Sequence, residues 1–123
     1  MIIKTLSHEL FDTNCYKLGV YDDNVNGLIN STAFISIIGS KEFREYYLED
    51  NTWHWFKKDH PNVLNLEFDD VTEDIVWNGY NFLVMNEEQA KKCIEFIEKN
   101  KGKNFYVHCL AGISRSGAVS QFI

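Results

Sequence analysis

A cysteine and an arginine near the end of the chain have the types and spacing needed to bind and attack a phosphate. Cys109 and Arg115 are separated by the five residues Leu110 to Ser114, in the run HCLAGISRSG. Backbone N–H groups of a tight loop can converge on one anion, and the dipole of a following helix adds positive potential there. The planar Arg115 guanidinium suits two phosphate oxygens. Thiols in such a field have pKa values lowered to roughly 3.5–7.5, so the pattern predicts a thiolate nucleophile at Cys109.

The segments around this loop predict a strand before it and a helix after it. Asn104–His108 (NFYVH) is rich in β-forming residues, and Ser114–Ile123 is typical of a helix that has just begun. Gly112 lets the loop backbone bend where a Cβ would clash. Ligands of open α/β sheets bind beyond the carboxyl ends of the strands, so the site is expected in this loop.

The best-defined helix in the sequence spans Glu87–Lys99. Asn86 is a candidate N-cap, and Gln89 follows three residues later, as a capping box requires. Gly102 is placed to close the helix. Apolar residues recur at helical spacing on one predicted buried face, which comprises Ala90, Cys93, Ile94 and Ile97.

The rest of the chain alternates between strand-like segments and turns or helices. Strands are predicted at Met1–Leu6, Asn14–Val20, Ala33–Ile38 and Val63–Phe68, a turn at Tyr21–Asn26, and a partly helical stretch at Glu42–Lys58. This order predicts the α/β class, with a central mixed, partly parallel sheet flanked by helices. The phosphate-binding loop then lies between the last strand and the last helix.

The loop resembles the signature loop of the dual-specificity (cysteine-dependent) phosphatases of the protein tyrosine phosphatase superfamily. The resemblance implies that Cys109 attacks phosphorus and forms a phosphocysteine, and that Arg115 binds the phosphate and stabilises the transition state. It also implies that Ser116 hydrogen-bonds the cysteine and helps it to leave, and that His108 orders the loop. The backbone of Leu110, Ala111, Gly112, Ile113, Ser114 and Arg115 would cradle the phosphate. The family implies no metal and no cofactor.

The family also uses an aspartate as general acid, on a separate loop upstream of the cysteine. Asp69 and Asp70 end the predicted strand VLNLEFDD, and Phe-Asp-Asp resembles small phosphatases in which the second aspartate is the acid. Asp70 is therefore the first candidate, Asp69 the second and Asp74 the third. The separation between Asp70 and Cys109 is longer than the family usually has, and the alternative for Asp70 is a helix cap or turn carboxylate.

The resemblance implies that residues 1–123 form a single domain of this phosphatase type. Such domains normally continue past the signature helix, so the C-terminal helices are expected to be missing or truncated. Val119, Phe122 and Ile123 begin an apolar face there. An exposed face of this kind predicts homo-oligomers.

The predicted function is that of a phosphomonoesterase acting on phosphotyrosine, and on phosphoserine and phosphothreonine if its specificity is dual. The substrate is expected to be a phosphorylated protein or peptide. The loop positions that carry lysine in phosphoinositide phosphatases are neutral here, at Leu110, Ala111, Ile113 and Ser114. Two alternatives stay open: a phosphate-binding pseudophosphatase or interaction module with little turnover, and an RNA 5′-phosphatase.

Composition narrows the classes of partner. Twelve Lys and Arg against eighteen Asp and Glu give a net charge of −6, which argues against non-specific nucleic-acid binding. No apolar run is long enough to span a bilayer, and the start of the chain lacks the pattern of a signal peptide. A cytoplasmic location and no membrane contact are therefore expected.

Other chemically capable side chains are predicted to be structural. Cys15 and Cys93 lack metal-ligand or Cys-x-x-Cys spacing, and core positions are expected for both. The cluster of Trp53, Trp55 and Phe56 is expected to pack under a long connection. His54 and His60 are expected at the surface.

Overall fold

The structure, a computed structural model, describes residues 1–40, 53–69, 75–77, 80–82, 85–109, 114–120 and 123. In chain order its elements are β1 (Ile3–Ser7), α1 (His8–Leu18), α2 (Val25–Leu28), β2 (Thr32–Ile38), β3 (Val63–Glu67), β4 (Ile75–Trp77), β5 (Tyr80–Phe82), α3 (Glu87–Lys99), β6 (Asn104–Cys109) and α4 (Ser114–Ser120).

A four-stranded sheet in the order β1-β6-β2-β3 forms the centre of the molecule. All its strand pairs are parallel, and β4 and β5 form a separate antiparallel ribbon. The predicted α/β class is confirmed. The prediction of a mixed sheet is wrong for the described strands, because helix-containing connections between β1 and β2 and between β3 and β6 allow parallel pairing.

Apolar residues cover both faces of the sheet, as a buried parallel sheet requires. On one face, Ile35 and Val107 pack with Cys93 of α3 and Val119 of α4. On the other face, residues of α1 and α2 pack against the alternate positions of the strands, including Phe34. The site must therefore lie at an end of the sheet.

Helix α1 corrects the prediction of a strand at Asn14–Val20. The Ser7 hydroxyl accepts a hydrogen bond from the Leu10 amide at the helix start, and Gly19 ends the helix with φ of 69°. Phe11 and Cys15, four residues apart, are the buried positions of the helix. That i, i+4 spacing defines a helical face, and it outweighs the β-branched end of the segment.

Helix α3 confirms the predicted bounds Glu87–Lys99 and the complete capping box between Asn86 and Gln89. Its buried face is shifted from the predicted stripe, because Phe96 is buried whereas Ile94 is half exposed. The helix is closed by Asn100 rather than Gly102.

The predictions for the remaining segments have mixed outcomes. Strands β1, β2, β3 and β6 match the predicted segments to within two residues at each end. Residues 41–52, most of the stretch predicted as partly helical, lie outside the described residues, and 53–58 carry no helix.

At the chain end, α4 is described to Ser120. Val119 is buried in the core and Ile123 packs against the same cluster, so the prediction of an exposed face is wrong for Val119. Phe122 lies outside the described residues, and homo-oligomers stay a prediction. No helix in the described part of the chain is long and apolar enough to cross a membrane.

The core positions predicted for Cys15 and Cys93 are confirmed. Phe56 is fully buried, whereas Trp53 is exposed. His54 and His60, predicted at the surface, are both partly exposed. Each ring also makes a partly buried hydrogen bond, His60 to Asp22 at 2.7 Å and His54 as described below.

Candidate active site

The chemistry-bearing residues gather at the carboxyl end of β6, which lies between β1 and β2. Within β6 the side chains alternate, so that Cys109 joins the α3–α4 side of the core while His108 contacts Phe11 of α1. The last residue pair of the β1–β6 ladder is Ser7 and Cys109. The sheet thus places the thiol at its carboxyl end, on the same face as helix α4.

Ser116 is the residue that the structure brings directly to Cys109. Its hydroxyl oxygen lies 3.3 Å from the cysteine sulfur, and both side chains are buried. Ser116 stands in the first turn of α4, so the contact joins the end of β6 to the start of the helix. A hydroxyl at this distance can donate to a thiolate. The resemblance implies this contact; the part of the hydroxyl in a reaction stays a prediction.

Arg115 is buried beside this pair, with 7% of its surface exposed. Its Nη1 donates to the Phe68 carbonyl oxygen at 3.1 Å. A buried guanidinium needs hydrogen-bond partners to offset its lost hydration. This bond ties α4 to the residue that follows β3, and it sets the cation at the carboxyl end of the sheet.

Asp69, the second candidate acid, follows Phe68 and is also buried. Its carboxylate accepts two hydrogen bonds from Ser40, one from the backbone N–H at 2.9 Å and one from the hydroxyl at 2.8 Å. These bonds join the segments after β2 and β3 and indicate a structural task for Asp69. The first and third candidates, Asp70 and Asp74, lie outside the described residues.

His108, the residue before Cys109, is fully buried. Its Nε2 lies 2.6 Å from the Ser36 hydroxyl oxygen, and its Nδ1 lies 3.4 Å from the Cys109 carbonyl oxygen. Burial lowers the pKa of His108 to about 3, the nearby His8 adds to the shift, and the contact with the Cys109 carbonyl opposes it. The imidazole is therefore neutral at any ordinary working pH.

No protein-family model, curated protein or solved structure matches this sequence.

The loop itself falls largely outside the described residues. Leu110, Ala111, Gly112 and Ile113 are not described, and Ser114 begins α4. The structure therefore places Cys109, Arg115, Ser116 and His108 of the predicted set and leaves the phosphate cradle a prediction. Within the described ranges, no three His, Cys, Asp or Glu side chains cluster as metal ligands would.

Sequence reasoning missed Ser36 and the hydrogen bond of His54. Ser36 interrupts the otherwise apolar run AFISII of β2. A polar residue inside a fully buried strand must find a partner, so this interruption was a usable signal. His54 carried no such signal, because its contact with Ser36 spans eighteen residues and depends on the tertiary fold.

Proposed function

We propose that the protein is a cysteine-dependent phosphomonoesterase that hydrolyses phosphotyrosine, and also phosphoserine and phosphothreonine, in cytoplasmic proteins or peptides. The observation that carries the proposal is the 3.3 Å contact between the Cys109 sulfur and the Ser116 hydroxyl. It sits beside a buried Arg115 at the carboxyl end of a parallel sheet. This is the part of an α/β fold where ligands bind.

In the first step the Cys109 thiolate attacks phosphorus. A sulfur–phosphorus bond forms while the phosphorus–oxygen ester bond breaks, and the leaving oxygen takes a proton from a general acid, for which Asp70 is the first candidate. Arg115 neutralises charge on the transferring phosphoryl group by donating to its oxygens. The fixed bond to Phe68 keeps the guanidinium from reorganising during the step.

In the second step water attacks the phosphocysteine. A phosphorus–oxygen bond forms, and the carboxylate left by the general acid of the first step takes the proton of the water. The phosphorus–sulfur bond breaks, inorganic phosphate leaves and the thiolate returns. The Ser116 hydroxyl donates to the departing sulfur from the position that it already holds. The same contact therefore serves the nucleophile in the first step and the leaving group in the second.

Hydrolysis of p-nitrophenyl phosphate in EDTA tests the proposal. We expect turnover in the wild type, inhibition by orthovanadate, and loss of turnover in Cys109→Ser. Cys93→Ser is the matched control, because Cys93 is a buried cysteine of the same core cluster but lies on α3 and not at the end of β6. We expect Cys93→Ser to keep its turnover.

The role of Asp70 as general acid is tested by comparing two substrates. Asp70→Asn is expected to reduce turnover of phosphotyrosine, whose leaving group needs a proton, more than turnover of p-nitrophenyl phosphate.

A folded wild type that binds vanadate but releases no nitrophenol would overturn the proposal in favour of a phosphate-binding module.

A further inference from the structure

A row of hydrogen bonds crosses the sheet behind the candidate nucleophile, on the face covered by α1. Ser36 of β2 and His108 of β6 are register partners, and both are fully buried. The Ser36 hydroxyl oxygen lies 2.6 Å from His108 Nε2 and 2.6 Å from His54 Nδ1. His108 Nδ1 in turn faces the Cys109 carbonyl oxygen at 3.4 Å.

We infer that Ser36 and His54 are positioning residues for the nucleophile, which act by fixing the tautomer of His108 through a one-directional hydrogen-bond chain from His54 to the Cys109 carbonyl. The inference deepens the proposed function and rests on it.

The number of available protons sets the direction of the hydrogen-bond chain. The Ser36 hydroxyl has one hydrogen and lies between two imidazole nitrogens, so one of those nitrogens must carry a proton and donate it. If His108 Nε2 donated, a neutral His108 would turn a bare Nδ1 lone pair towards the lone pairs of the Cys109 carbonyl. If His54 Nδ1–H donates, Ser36 donates to His108 Nε2 and His108 Nδ1–H faces the carbonyl oxygen. Only the second arrangement makes every contact a donor facing an acceptor.

The charge state of His108 supports this direction. Burial, with His8 nearby, lowers the pKa of His108 to about 3. His108 thus stays neutral and has only one proton to place.

His54 is the member of the hydrogen-bond chain that is partly exposed to solvent. It lines a cavity of about 420 Å³ together with Ile38, Trp53, Phe56, Lys57 and Glu67. Among the described residues, the charged groups at this end are Lys57 and Glu67, while His8, paired with Asp12, and Arg115 act on the His108 end. Protons and small solutes can reach His54 without entering the core.

The first test is the tautomer itself. Two-bond ¹H–¹⁵N correlation spectra of histidine-labelled protein distinguish Nδ1–H from Nε2–H, and the chain has four histidines to assign. We expect His108 to be Nδ1-protonated in the wild type and in Ser36→Thr, which keeps the hydroxyl. In Ser36→Ala we expect a mixture of tautomers. An Nε2-protonated His108 in the wild type would overturn the inference.

The second test joins the tautomer to the nucleophile. Iodoacetamide alkylation of Cys109 and p-nitrophenyl phosphate turnover are followed against pH in Ser36→Ala, His54→Ala and His54→Asn. The asparagine amide reaches the position of the His54 Nδ1–H but does not titrate. We expect about a tenfold lower kcat in Ser36→Ala and His54→Ala, with little change in KM, because an unpaired buried group costs about that factor. We expect His54→Asn to recover most of the rate.

The outcomes separate the inference from the proposed function. Alkylation profiles unchanged in Ser36→Ala and His54→Ala would overturn the positioning role, even if turnover fell through misfolding. A third outcome is a protein that shows no turnover, although His108 is Nδ1-protonated and the alkylation profiles of the variants are shifted. That outcome would overturn the phosphatase proposal and support the hydrogen-bond chain.

Discussion

The Ser116 hydroxyl lies 3.3 Å from the Cys109 sulfur, and it reaches that sulfur from the first turn of α4. The residue before it, Arg115, is held by the Phe68 carbonyl. The end of β6 and the first turn of α4, which are close in sequence, are therefore joined at the carboxyl end of the sheet to the distant residue that follows β3. The bond to Phe68 therefore gives Arg115 a second attachment besides the loop that joins β6 to α4.

Ser116→Ala is expected to slow the release of phosphate from the cysteine. Without the hydroxyl, the departing sulfur loses a hydrogen bond of about 1–2 kcal/mol, which corresponds to roughly a tenfold lower kcat. Rapid-quench measurements should show a burst of nitrophenol and an accumulated phosphoenzyme. Ser120→Ala is the matched control one turn further along α4, where the hydroxyl bonds only the Ser116 carbonyl in the described contacts. Equal slowing in both variants would contradict the role of Ser116.

Much of this site could be predicted from the sequence because its parts are local. The capping box and the apolar spacing of α3 lie within one helix, and their bounds match those of the structure. The strand before Cys109 and the helix from Ser114 are likewise marked by residues within the run itself. Short-range patterns of this kind need no knowledge of the tertiary fold.

The features of the fold and site that the sequence does not predict depend on contacts between distant residues. Asn14–Val20 is predicted as a strand, but most of it belongs to helix α1, whose buried face is formed by Phe11 and Cys15. The bonds of His108 to Ser36 and of Arg115 to Phe68 cross 72 and 47 residues. Pairings at that range are set by strand order and register, which propensity does not reveal.

The three cysteines are expected to differ sharply in reactivity. Burial raises the pKa of the Cys15 thiol, with Asp12 adding to the shift, and burial raises that of Cys93 to about 11. Less than about one in a thousand Cys93 thiols is therefore ionised at pH 7, and the thiolate is the reactive form. Iodoacetamide at pH 7, followed by peptide mass spectrometry, should label Cys109 first, and vanadate should protect it. Labelling of Cys15 or Cys93 at a comparable rate would contradict this order.

Asp69→Ala is expected to destabilise the fold more than Ser40→Ala does. The alanine leaves the buried Ser40 backbone N–H and hydroxyl without the carboxylate that accepts from both. An unpaired buried group costs about 1–3 kcal/mol, whereas loss of the hydroxyl alone removes a bond of about 1 kcal/mol. Urea unfolding followed by tryptophan fluorescence measures both variants. A stable Asp69→Ala protein without turnover would instead make Asp69 the general acid.

His108 is expected to make the free energy of unfolding depend on pH. Burial lowers the pKa of His108 to about 3 in the folded state, and His8 adds to the shift. The unfolded chain titrates near 6.5. Between these values the unfolded state binds a proton that the folded state does not, so stability rises with pH and is lost as the pH falls from about 6.5 towards 3. The slope from this group is at most about 1.4 kcal/mol per pH unit.

His108→Gln isolates that contribution, because glutamine can still reach the Ser36 hydroxyl but does not titrate. Urea unfolding at pH 4.5 to 7.5 should give a flatter dependence for the variant than for the wild type. The variant should be less stable at pH 7 yet lose less stability on acidification, since its deficit does not involve a proton. If the free energy of unfolding depended on pH equally in the two proteins, His108 would gain its proton while folded. The neutral His108 ring, on which the hydrogen-bond chain from His54 depends, would then be excluded at acidic pH.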